Sequence, residues 1–184
     1  MDNDSEILRL YKAGSREEAF NQIVKTYGER LYWHIRRIVV SHEDADDLLQ
    51  NTFVKAWSNL DKFRAESGLY TWLYRIATNE VLTFLGKKRI TNALSLSDEP
   101  ERVANIVKTD RNFDGDKLQR LLQEAIASLP PKQRIVFCMR YWDETPYEKI
   151  SEVLKTSEGA LKASYHHAYK KVLEYVKKRI DIDY

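Results

Sequence analysis

Apolar residues recur every three or four positions along almost the whole of this 184-residue chain, and the recurrence fails in only one long stretch. That spacing is the period of the α-helix, so the chain is read as all-α. Six glycines and four prolines leave few places to break a helix. In the first part, Ile7, Leu8, Leu10 and Tyr11 start a short helix. Ala19, Phe20, Ile23, Val24 and Tyr27 carry the pattern on to Leu31, Ile35 and Ile38. "SHED" reads as a helix start, with Ser41 as N-cap and Glu43 and Asp44 at the positive end of the dipole. Ala45, Leu48, Leu49, Phe53, Ala56 and Trp57 then share one face. "DKFRAESG" reads as a loop. The next helix puts Leu69, Trp72, Leu73, Ile76, Ala77, Val81 and Phe84 inward and is expected to end near Gly86. Residues 91–117 lose the period and turn acidic, so they read as a flexible linker, with a short ordered piece around Val103–Val107. The period resumes at Leu118. Two small helical domains are therefore expected, 1–90 and 118–184, joined by 91–117.

Charge is placed unevenly along that plan. The overall balance is +2, but residues 91–117 sum to −2 and residues 118–184 to +3. Lys155–Arg179 holds seven basic side chains against two acidic ones, a local excess suited to an anionic partner. No run of about 18 apolar residues is present, so no membrane span is expected. The acidic, amphipathic N-terminus does not resemble a secretory signal. The single cysteine, Cys138, lies in the apolar run "IVFCMRYW" and reads as a buried thiol in a reducing cytoplasm. No nucleotide-binding glycine loop, metal-ligand spacing or nucleophile–base pair is visible, so no catalytic site, cofactor or metal is expected.

The C-terminal part is punctuated closely. Leu118, Leu121, Leu122, Ala125 and Ile126 form one amphipathic helix, stopped by "LPP". Pro131 suits the first turn of the following helix. "DETP" breaks the chain again, and "YEKISEVL" is short, with Ile150, Val153 and Leu154 inward. "KTS" is a tight connection in which Ser157 serves as N-cap and Glu158 opens the last helix. Helix, short turn and helix make the helix-turn-helix geometry that reads DNA. At about 100° per residue, Tyr165, Ala168 and Val172 fall within about 40° of Leu161 and form its inward stripe. The opposite face carries Gly159, Ala163, His166, His167 and Lys170, with no acid between Glu158 and Glu174. Small residues there permit close approach to a groove, and the others supply donors.

The N-terminal part offers two surfaces. Asp46, Asp47, Gln50, Asn51 and Lys55 lie opposite the apolar stripe of "DADDLLQNTFVKAW", a pattern that an ordinary amphipathic helix also produces. "FRAESGLYTWLYRIATNEVLTFLGKKR" mixes Phe63, Tyr70, Trp72, Tyr74 and Phe84 with Arg64, Arg75, Lys87, Lys88 and Arg89, and Lys62 precedes it. Basic groups meet phosphates, and aromatic rings stack on the bases of single strands. Trp72 also suits the core. Arg75 and Asn79 are four apart and share a surface.

These stretches, in this order around one linker, resemble an extracytoplasmic-function sigma factor (group IV of the sigma-70 family). "AGSREEAFNQIVKTYGERLY" resembles its opening helices and "DADDLLQNTFVKAW" its polymerase-binding helix. The segment from Phe63 to Arg89 resembles the unit that recognises and melts the −10 promoter element, and the part from Leu122 to Val176 the unit that reads the −35 element. The resemblance implies a subunit that binds core RNA polymerase and directs promoter-specific initiation. It implies that Asp46, Asp47, Gln50 and Asn51 dock on the clamp helices of the largest polymerase subunit. It implies that the loop Lys62–Gly68 captures a flipped base, with Lys62, Phe63, Arg64, Trp72, Arg75 and Asn79 around it and Lys87, Lys88 and Arg89 on the backbone. Lys155, Ser157, Glu158, Lys162, Ala163, His166 and Lys170 would face the −35 major groove. The implied partners are promoter DNA, core polymerase including the flap of its second-largest subunit, and an anti-sigma factor that holds the cytoplasmic protein at the inner membrane face. The acidic linker would thread the polymerase channels.

The chain departs from the family pattern at several positions. Thr83 stands where Asp is usual, Gly86 where Arg is, Ser151 where Ala is, and Lys155 where the turn glycine is. Ser164, His167 and Tyr169 replace frequent basic residues. Two other readings remain open from residues alone: a repressor or activator using only the C-terminal unit, and a helical adaptor that binds only proteins.

Overall fold

The computed structural model describes residues 3–63, 68–95 and 117–180. The N-terminal unit comprises α1 (Asn3–Lys12), α2 (Arg16–Val39), α3 (His42–Asn59), a single 3-10 turn (Leu60–Lys62) and α4 (Leu69–Ser95). The C-terminal unit comprises α5 (Lys117–Ala127), α6 (Pro131–Tyr141), α7 (Tyr147–Leu154) and α8 (Glu158–Ile180). Among the described residues no strand occurs, so the all-α reading holds. No helix among them is long and apolar enough to cross a membrane.

The 3–4 spacing read from the sequence is the spacing that is buried. Ala19, Ile23, Tyr27, Leu31, Ile35 and Ile38 line the inner face of α2, and Leu69, Leu73, Ala77, Val81 and Leu85 that of α4. Ser41 caps α3 as expected, its Oγ accepting from the Asp44 amide at 3.2 Å, and Pro131 opens α6. In α6 five consecutive residues, Ile135–Met139, are buried, because α6 packs on α8 and also on α2 and α4 of the other unit. Cys138 is among them, and burial pushes its thiol up to about 12, as expected for an inert cysteine.

Two local expectations change, and a third is untested. α4 does not stop near Gly86 but runs on to Ser95. A Cβ added at Gly86 would meet nothing within 4 Å, so this glycine sits on an open face with helical dihedrals. Such a glycine costs about 1 kcal/mol without ending a helix, and Lys87 and Lys88 after it are good helix formers. Leu118 is 50% exposed rather than inward, while the polar Gln123 on the same helix is buried. The ordered piece expected at Val103–Val107 lies outside the described residues.

Gln123 is buried because it joins the two units. The last carbonyls of α2 have no partner within their own helix. Gln123 Nε2 donates to the Arg37 carbonyl at 3.0 Å, and Arg134 Nη1 donates to the Ile38 carbonyl at 3.3 Å. Arg134 also donates through Nη2 to the carbonyls of Ala127 and Leu129, the latter at 3.3 Å, at the C-terminal end of α5. One guanidinium therefore serves two helix C-termini, where the dipole favours a cation.

The second joint is Asp143, in the turn between α6 and α7. It accepts from Tyr74 OH at 2.5 Å, from Arg37 Nη1 at 3.2 Å and from His34 Nδ1 at 2.7 Å, all three on the N-terminal unit. The other ring nitrogen of His34 lies 3.2 Å from Thr78 Oγ1. Burial alone would raise the Asp143 carboxyl. The His34 hydrogen bond and charge, the Tyr74 hydroxyl and the Arg37 charge outweigh it and hold the group below the usual carboxylate range. Burial, and after it the same carboxylate, push the Tyr74 phenol well up.

Asp143 thus binds its proton more weakly folded than unfolded. Its stabilisation is complete above the unfolded carboxylate value and is lost as pH falls through the lower folded one. Asp143→Ala should cost about 3 kcal/mol at pH 7, read as a lower urea midpoint. The gap between variant and wild type should begin to shrink as pH falls below about 4, where the unfolded carboxyl takes up its proton first, and close only below the lower folded value.

Lys155 supplies a second test. It takes φ 53° and ψ 43° at the C-terminus of α7, the left-handed conformation that glycine adopts without cost, and its side chain is exposed. Lys155→Gly should stabilise the fold by about 1 kcal/mol and raise the melting midpoint by about 2–4 °C. A lower midpoint would contradict this account of the turn.

Candidate nucleic-acid interface

The helix-turn-helix is made by α7, the Lys155–Ser157 turn and α8. Ser157 closes it as expected: its carbonyl accepts from the Leu161 amide at 3.0 Å, and its Oγ from the Ala160 amide at 3.4 Å. Ile150 and Val153 of α7 and Leu161, Ala168 and Val172 of α8 are buried, with Tyr165 half-buried. Phe137 of α6 stacks between Tyr141 and Tyr165, with ring centroids 5.2 and 5.6 Å away. The Phe137–Tyr165 contact locks the α8 stripe against α6 and is worth about 1 kcal/mol beyond burial, while Tyr141 holds Phe137 from within α6.

The opposite face of α8 is open. Lys155, Ser157, Glu158, Lys162, Ala163, His166 and Lys170 are all exposed and lie along the turn and one side of the helix. Lys162 is drawn towards Glu158 at 3.3 Å, and its Nζ sits 5.6 Å from the Tyr147 ring. Both partners are surface groups, so the pairing is weak and exchangeable. Tyr169 is 48% exposed and extends the face where sequence reading saw only a missing basic residue.

On the N-terminal unit, Trp72, Arg75 and Asn79 follow one another at three- and four-residue steps along α4. Trp72 and Arg75 are half-buried and Asn79 is exposed. The Trp72 ring lies 5.3 Å from that of Phe63, so the indole is part packing and part surface, as the two readings of it required. Arg75 Nε is buried without a hydrogen-bond partner. Lys62 and Lys87 are exposed, whereas Lys88 is only 22% exposed and donates to Asp44 at 3.1 Å. Lys88 therefore ties α4 to the start of α3. Arg64 lies outside the described residues, as does the Arg89 side chain.

The expected clamp-facing residues share one side of α3. Asp47, Gln50 and Asn51 are exposed, and Asp46 is half-buried beside His42 at 3.3 Å. Lys55, grouped with them by sequence, instead bonds Glu80 of α4. Sequence reasoning missed Val54, which is 64% exposed beside Asn51. The signal was present as an apolar residue outside the buried stripe of α3.

Residues 23–90 match the family described as Sigma-70 region 2, and residues 119–172 the family described as Sigma-70, region 4. The ECF RNA polymerase sigma factor SigW of Bacillus subtilis is 30% identical over 158 residues, covering 82% of this chain and 84% of that protein. The ECF RNA polymerase sigma-E factor of Haemophilus influenzae is 27% identical over 173 residues, covering 90% of each. Among solved structures, CnrH in complex with the cytosolic domain of CnrY shares the fold with a TM-score of 0.65 at 22% identity, covering all of both chains. The sigma factor RpoE of Bartonella quintana, in complex with the anti-sigma factor NepR, does so with 0.63 at 22%, covering 86% of this chain and 96% of that one. With both matched regions in order, and a 30% identical relative spanned over most of its length, the chain belongs to the ECF sigma factors of the sigma-70 family.

Proposed function

We infer that this chain is a promoter-specificity subunit of bacterial RNA polymerase, which binds the core enzyme and directs promoter-specific initiation. The observation that carries the reading is the α8 face: it is open, has no carboxylate between Glu158 and Glu174, and is held rigid from behind by Phe137, Leu161 and Tyr165. A rigid helix offering small residues beside donors suits the major groove. Catalysis belongs to the polymerase, and the chain fits the group IV type.

The finer assignment follows the surfaces. The turn and outer face of α8, from Lys155 to Lys170, read the −35 element. The α4 surface of Trp72, Arg75 and Asn79, flanked by Lys62, Phe63 and Lys87, engages the −10 strand, where opening costs a few kcal/mol offset by stacking and pocket contacts. The outer face of α3 docks on the polymerase clamp, and Val54 adds an apolar contact to Asp47, Gln50 and Asn51. The two structural relatives solved with CnrY and NepR support an anti-sigma partner for this chain as well, and the protein works in the cytoplasm.

Run-off transcription with purified core polymerase on genomic promoters tests the function. A start site beyond those of core alone is expected, and its absence with folded protein would sink the reading. Asn79→Ala should slow open-complex formation about tenfold while leaving polymerase affinity within about twofold, measured with a fluorescent base analogue in the −10 strand. Lys170→Ala should weaken promoter binding across sequences and lower the salt slope by about one. An unchanged slope would remove Lys170 from the phosphate contacts.

A further inference from the structure

The first turn of α1 is bonded to the first turn of α4, 65 residues further on. Asp4 Oδ2 accepts the Leu69 amide at 3.0 Å, and Asp4 Oδ1 accepts the Tyr27 hydroxyl. Leu69 is 1% exposed, so water does not serve its amide. A buried amide in the first helical turn has no partner within its own helix and needs one from elsewhere. Asp4 supplies it, acting as an N-cap from a different helix. Ile7, one turn along α1, is 3% exposed and seats the helix in the core.

The far end of α1 grips the other flank. Tyr11 OH donates to Asp61 in the 3-10 turn. Arg16, which opens α2, lies 3.6 Å from the same carboxylate and donates to the Trp57 carbonyl at 2.8 Å. Its guanidinium also covers the Trp57 ring at 4.5 Å. The end of α3 and the start of α4 are thus both fastened to the N-terminal segment. Lys62 and Phe63 follow the first anchor directly, and Trp72, Arg75 and Asn79 lie one to three turns after the second.

We propose that Asp4 is a positioning residue for promoter opening: by capping α4 from α1 it fixes where Trp72, Arg75 and Asn79 stand relative to Lys62 and Phe63. This rests on the −10 assignment given above. Asp4 touches no DNA in the proposal. Its effect passes through the Leu69 amide, and the Tyr11–Asp61 bond holds the opposite side.

The test uses full-length protein with core polymerase and compares Asp4→Ala with Asp4→Asn. Asparagine keeps an acceptor for Leu69, and its amide can donate to the Tyr27 oxygen. Asp4→Ala is expected to form open complexes about fivefold more slowly, the equivalent of one lost cap. Polymerase affinity should stay within about twofold, and hydrogen exchange should quicken at the start of α4. Asp4→Asn should restore both opening and exchange. Wild-type opening by Asp4→Ala would overturn the proposal. So would equal loss in both variants, or a parallel fall in polymerase affinity, which marks general destabilisation. Asn79→Ala is run beside them: slowed opening there with none in Asp4→Ala removes the brace alone, whereas normal opening in Asn79→Ala removes the −10 assignment.

Discussion

The C-terminus of α2 is the point on which the described structure depends. Its final carbonyls are buried under the other unit and have no partners of their own, and Gln123 and Arg134 supply them. Arg134 at the same time closes α5, so the joint between units is also the joint between two helix ends. Just beyond, Val40 holds φ 70°, unusual for a β-branched residue, with its amide bonded to the Arg36 carbonyl and its carbonyl to the Arg36 side chain. Arg36 is fully buried, and burial lowers its guanidinium from its usual value. The sharp turn into α3, and with it the α3 outer face, is set by that arginine.

Function is then distributed by what packing leaves free. α4 buries Leu73, Ala77 and Val81 and so must present Trp72, Arg75 and Asn79 on another side. α8 buries Leu161, Ala168 and Val172 and so must present Ala163, His166 and Lys170. Each candidate surface is the complement of a core stripe, which gives it a rigid backing without any loop having to be ordered first.

Much of this was legible because it is local. The stripes, the Ser41 and Ser157 caps, Pro131 at the start of α6 and the buried Cys138 follow from residues within a few turns of one another. What was illegible is long-range. Asp143 read only as part of a break in "DETP", because its partners His34, Arg37 and Tyr74 lie 109, 106 and 69 residues away. Gln123 prompts no reading and Lys88 reads as a DNA-backbone contact, because their partners Arg37 and Asp44 sit on other helices. Asp4 gave no signal either, since a cap is normally sought just before the helix it serves. The family resemblance named surfaces, but it could not say that Lys88 is engaged with Asp44 or that Val54 stands exposed among polar neighbours.

The turn that carries Asp143 also links two equilibria. Three side chains of the N-terminal unit converge on one carboxylate of the C-terminal unit, and that carboxylate is held ionised by them. Any partner that engages the units apart must first forgo these bonds, so its apparent affinity is reduced by the fraction of molecules in which the units are docked. A substitution at His34, Arg37 or Asp143, none of which is among the residues of either candidate surface, would then alter binding at both together. The same residues would act as a set point for how readily the chain yields to whatever binds it.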